Sequence, residues 1–157
     1  MEYVDFLNSN AKIVHNQVIK AGYQIIENSP YCLMAKQILG LHNGRAKKIY
    51  LCTQNLKNIL VWSAPKGPRD VFAKSKVKQA RFYMSNALTH EAVHAAQYCN
   101  NNNLIAPEIS SPVVTDFKKE AIQLSLLVGG TKQREEEAYL LETNPAFVVA
   151  ALKRFCF

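Results

Sequence analysis

The chain has 157 residues, 48% hydrophobic, 10% aromatic and 20% charged, with a net charge of +7 and four cysteines. That is the composition of one globular domain, 1–157, long enough to bury a core unaided, and it excludes a disordered or fibrous protein. No apolar run reaches the roughly 18 residues that a bilayer crossing needs, and the opening MEYVDFLNSNAKIVH lacks the features of a secretory signal or an Arg-rich transit peptide.

Phe6, Ile13, Val14, Val18 and Ile19 recur at helical spacing and predict a first helix over residues 4–21, closed by Gly22. YCLMAKQILG (31–40) reads as a second, shorter helix, and LHNGR as a turn. KKIYLCT and NILVWS are apolar and β-prone, and predict two paired strands joined by QNLK. APKGPRD is a loop, and a long helix follows over 75–99, broken by four Asn. SSPVVTDFKKEAIQLSLLVGG predicts a helix with Ser111 as N-cap and Pro112 in its first turn. TKQREEEAYLLETN is another helix, and Asn144-Pro145 starts the last one, PAFVVAALKRFCF.

The positive excess is local: Lys66, Arg69, Lys74, Lys76, Lys78 and Arg81 face one Asp70 within segment 66–81. Such a patch suits an anionic membrane surface or another acidic partner, and equally a solvated loop and helix face. It has neither aromatic interleaving nor a recognition motif, so nucleic acid is not expected as a partner. Cys32, Cys52, Cys99 and Cys156 contain no CxxC, which argues against a Cys-zinc site. Four cysteines allow two bridges in three pairings, and free buried thiols are an equal alternative.

The chemistry lies in THEAVH, residues 89–94. Residues four apart share a helix face, so His90 and His94 can offer two imidazole nitrogens to one ion. Glu91, offset by one residue, can reach a water at that ion without ligating it. This is the HExxH arrangement of zinc peptidases, with Zn2+ as Lewis acid and the glutamate as general base. The alternative is a helix carrying two satisfied core histidines.

Catalytic zinc usually has three protein ligands. His15 and His42 have no spacing that argues for ligation. Glu120 lies in the stripe Val113, Phe117, Leu124 and Leu127, where a carboxylate is costly unless paired or metal-bound. It is the expected third ligand. Glu137 in REEEAYLLE competes, but acidic residues there are explained by the helix dipole alone. Glu108 and Asp116 are further alternatives.

Four stretches resemble one family. KKIYLCTQNL, LTHEAVHAAQYC, KKEAIQLSLLVGG and ETNPAFVVAALKRFCF are similar to the mitochondrial inner-membrane metalloproteases that process a subunit of ATP synthase and help assemble its membrane sector. The resemblance implies His90 and His94 as ligands, Glu91 as base and Glu120 in the third-ligand position. It also implies the mitochondrial intermembrane space, peripheral to the inner membrane, and a second role in escorting complex subunits. The chain differs from that family in having fewer cysteines, a longer segment before the HExxH helix and Gln97 in place of an acidic residue.

The expectation is therefore an α+β, zincin-like (gluzincin-type) single domain, helix-rich with a small sheet. Its expected function is zinc metalloendopeptidase, with the strand near 48–53 as an edge that aligns substrate. The alternative is a non-catalytic zinc-containing assembly factor or accessory subunit of an inner-membrane complex, either ATP synthase or the respiratory chain. A cytoplasmic HExxH protein outside this family is a third reading.

Overall fold

The computed structural model describes residues 2–62, 69–108, 116–127 and 130–157. The predicted first helix is two elements. Tyr3–Phe6 form a 3-10 turn, and α1 is Ser9–Lys20. Asn8 separates them because its side chain caps α1, accepting from Ala11 N at 2.8 Å. The buried face is Ala11, Val14, Gln17 and Val18, while Ile13 and Ile19 are exposed. At the C-terminus Gly22 takes φ +84°, the left-handed conformation that closes a helix.

Three strands follow: β1 (Gln24–Glu27), β2 (Gly40–Asn43) and β3 (Lys48–Leu51). Their order is β1-β3-β2, with β3 parallel to β1 and antiparallel to β2. The 48–53 segment thus holds the central strand, β3, and the edge beside the long helix is β2, where the sequence predicts a turn. Residues 31–40 form no α-helix, only a 3-10 turn at Pro30–Leu33. Their carbonyls are claimed by Asn55, whose Nδ2 donates to Cys32 O, Ala35 O and Ile38 O at 2.8, 3.1 and 2.8 Å.

The second predicted strand is instead α2, Thr53–Trp62. Two anchors override its β-propensity. Asn28 Oδ1 accepts from Gln54 N in the first turn, and Leu56 and Leu60 stack on the core one helical turn apart.

The long helix α3, Arg69–Cys99, has 31 residues and begins earlier than expected. Ala80, Met84, Leu88, Ala92, Ala95 and Ala96 form its buried face. α4 is Asp116–Leu127, and the proposed caps Ser111 and Pro112 lie outside the described residues. α5 (Lys132–Leu141) and α6 (Pro145–Phe155) begin where expected, capped by Thr131 and Asn144. Helix α3 is the axis: α1, α5, α6 and β2 all pack on it. Its C-terminal turn is broken by Asn101 and Asn102, both at positive φ, as the Asn run predicts.

The cysteines form two bridges, Cys32–Cys52 and Cys99–Cys156. The second ties the end of α3 to the end of α6. Lys78 and Arg81 of the basic segment are exposed on α3, Lys76 is half-buried, and Lys66 lies outside the described residues. Among the described residues no helix is long and apolar enough to cross a membrane.

Candidate metal centre

His90 and His94 stand on consecutive turns of α3, with their Nε2 atoms 3.2 Å apart. The third corner is Glu135 in the first turn of α5, where its chain enters after the Thr131 cap. Glu135 Oε2 is 3.4 Å from His90 Nε2, and Oε1 is 3.3 Å from His94 Nε2. For tetrahedral zinc with bonds of about 2.1 Å, donors lie about 3.4 Å apart. Two imidazoles and a carboxylate are also the donor set of known catalytic zinc sites. In both spacing and chemistry, His90, His94 and Glu135 fit a divalent ion.

The second nitrogen of each histidine is held. Gln97 Nε2 donates to Glu137 Oε2 at 2.8 Å and to Arg134 O at 3.1 Å, so Gln97 Oε1, 2.8 Å from His94 Nδ1, must accept. That places the proton on His94 Nδ1 and leaves the Nε2 lone pair for a metal. His90 Nδ1 faces Glu142 Oε2 at 3.3 Å, and Lys118 Nζ balances that carboxylate from 2.9 Å. Such outer partners fix the tautomer and orientation of metal-binding histidines.

The carboxylates around His90 favour its protonated form. Burial alone would lower the His90 pKa, but hydrogen bonds to Glu135 and Glu142 outweigh it and raise the value to about 10. Burial also pushes Glu135 upward, yet its bonds to His90 and His94 win and hold it well below the usual carboxylate range.

Glu91 is of a different kind. It is 6% exposed, and burial raises its pKa against the pull of both histidines. Among the described residues none donates it a hydrogen bond. A buried carboxylate with open lone pairs, facing a cleft, is poised for proton transfer rather than for structure. The cleft has a volume of about 670 Å³ and is bordered by β2 on one side and by Phe82, Tyr83, Leu124 and Tyr139 on the other.

Glu120 is not part of the cluster. It is exposed on α4, and of the apolar stripe that singled it out Leu127 is 81% exposed, while Val113 lies outside the described residues. The third corner of the cluster is instead Glu135. Glu137 is buried but structural, accepting from Ile105 N and Ala106 N at 3.0 and 2.7 Å as well as from Gln97. Glu108 and Asp116 are exposed, Asp116 pairing with Lys119. His15 bonds to Tyr3 on the far side of α1. His42 lies on β2 with its ring centroid 6.2 Å from that of His94, and burial lowers its pKa to about 3.

Tyr83, Tyr98 and Tyr139 all line the cleft. The Tyr139 ring packs on His90 at 4.4 Å between centroids. Sequence reasoning missed Glu135, Glu142 and the double role of Gln97. The available signal was the spacing of Glu135, Tyr139 and Glu142, which puts two carboxylates and a ring on one face of α5.

A family model described as Domain of unknown function (DUF8637) matches residues 3–157. No curated protein and no solved structure matches the chain.

Proposed function

The chain belongs to the DUF8637 family across residues 3–157, and we propose that it is a zinc-dependent metallopeptidase of zincin-like, gluzincin-type architecture. The observation that carries this reading is Glu91, buried and, among the described residues, without a hydrogen-bond donor, next to a triangle of His90, His94 and Glu135 with the spacing of a metal site.

His90, His94 and Glu135 would hold the ion. Zinc, when bound in such a site, supplies a Lewis acid that polarises a carbonyl and makes water acidic. Glu91 takes the proton of the attacking water. Its raised pKa suits the return of that proton to the leaving amine near neutral pH. Glu142 and Gln97 keep both imidazoles turned toward the ion. Tyr139, held protonated by burial, is a donor beside His90 for developing negative charge.

Substrate alignment falls to β2. Cys52 N donates to Leu39 O, and Gly40 pairs with Leu51 in the antiparallel register. The backbone groups of Gly40 and His42 therefore point away from β3, along an edge that no described strand pairs. An extended peptide can pair there, above the histidines.

The disulfides support an oxidising compartment. With the resemblance noted above, that favours the mitochondrial intermembrane space over the cytoplasm, and inner-membrane complex subunits as partners. The second reading is a zinc-containing assembly factor without catalysis. It is favoured by the apolar side chains left exposed around the cleft, Met34, Phe82 and Leu127.

Metal analysis with the Glu91→Gln variant tests both. The peptidase reading expects one zinc per chain in both proteins and a loss of cleavage of about 10³-fold in the variant. A folded, zinc-free protein refutes both readings. A variant that keeps zinc and full cellular activity selects the assembly role.

A further inference from the structure

The turn after β2 carries a second glycine, and both it and Gly40 meet α3 side chains. A Cβ built on Gly40 would lie 2.6 Å from Glu91 Oε1, 2.7 Å from Cγ and 3.0 Å from Cδ. One on Gly44 would lie 2.2 Å from Tyr98 Cδ2. Glu91 and Tyr98 are two helical turns apart on one face of α3. The two glycines thus form notches that seat the edge strand along the helix.

The notch at Gly40 is the more exacting. The obstructing atoms include Glu91 Cγ, so turning the carboxylate end alone would not relieve the overlap. The side chain would have to change χ1, or the strand would have to lift. A change of χ1 would carry the carboxylate away from its present place against the strand, so either adjustment alters the relation of Glu91 to β2.

We propose that Gly40 is a positioning residue for Glu91. The missing side chain brings the carboxylate against the backbone of the edge strand, and so fixes the base relative to the line along which a paired peptide runs. The proposal rests on the reading of Glu91 as the base. It adds a specific dependence: the place of Glu91 is set by the strand that holds the substrate, not by its own hydrogen bonds.

The test is a thermal-unfolding cycle on the zinc-loaded full chain. Gly40→Ala is measured alone and with Glu91→Ala, and Gly44→Ala is measured in the same two backgrounds. Gly40→Ala is expected to lower Tm by about 5 °C alone and by less than about 1 °C once Glu91→Ala has emptied the notch. Gly44→Ala, which meets Tyr98, is expected to cost the same in both. In peptide cleavage, Gly40→Ala is expected to keep one zinc per chain and its KM, while kcat falls about 100-fold.

Equal Tm losses for Gly40→Ala in both backgrounds, or none in either, overturn the contact and with it the proposal. Coupled Tm losses in a chain whose unaltered form cleaves no peptide overturn instead the reading of Glu91 as base, and the role given to Gly40.

Discussion

Gln97 Oε1 lies 2.8 Å from His94 Nδ1, while the Nε2 of the same amide lies 2.8 Å from Glu137. One side chain thereby orients a metal-site imidazole and joins it to the carboxylate that secures the chain after α3. Leucine is apolar, one atom shorter, and offers no acceptor. Gln97→Leu is therefore expected to weaken zinc binding by about 10–100-fold, read by competition with a chromophoric chelator. An unchanged affinity would show that Gln97 supports only the fold.

Glu135, Glu137 and Glu120 separate three fates for a carboxylate. Glu135→Ala removes one corner of the triangle and is expected to leave less than one zinc per ten chains after gel filtration. Glu120→Ala, on an exposed face, is expected to keep full zinc and stability. Glu137→Ala leaves the buried amides of Ile105 and Ala106 without their acceptor and is expected to cost about 3 kcal/mol in urea denaturation. Zinc loss with Glu120→Ala and not with Glu135→Ala would refute the assignment.

The legible parts of this protein were those whose determinants are local. α5 and α6 announce themselves by Thr131 and Asn144-Pro145, caps adjacent to the helices they start. His90, Glu91 and His94 are legible because their relation is a spacing within one helix. β2 and α2 were misread because what decides them is distant. Asn55 reaches back to residues 32–38, and β3 imposes the pairing that makes Gly40–Asn43 a strand. Glu135 was hidden for the same reason. The acidic run at the start of α5 has a sufficient local explanation in the helix dipole, and only tertiary packing distinguishes Glu135 from its neighbours.

The two disulfides close loops of different length, 20 residues for Cys32–Cys52 and 57 for Cys99–Cys156. Chain-entropy estimates give about 3 and about 4 kcal/mol respectively. Replacing Cys99 and Cys156 together by Ala is expected to lower unfolding stability by about 4 kcal/mol and to loosen the end of α3 that carries Gln97. Pairwise replacement with urea denaturation measures this. A larger loss for the Cys32–Cys52 pair would show that local packing outweighs loop length.

Zinc binding should release a proton, and the sign follows from His90. Its pKa in the folded, metal-free chain is about 10, above the ordinary 6.5, so the folded state binds the proton more tightly than the unfolded one. The stability gained is fully present below about pH 6.5 and is lost as pH rises toward 10. The metal-free chain should therefore lose Tm across that window from this group. A zinc ligand must be neutral, so at pH 7.5 the ion displaces that proton, and affinity rises about tenfold per pH unit between about 7 and 9. Calorimetry in buffers of different ionisation enthalpy should report about one proton released per zinc. Glu142→Gln weakens the bond that helps raise the His90 pKa and should reduce that number near pH 8. Release of no proton by the unaltered chain would mean that His90 is neutral before the ion arrives, and that the carboxylates around it are balanced from elsewhere.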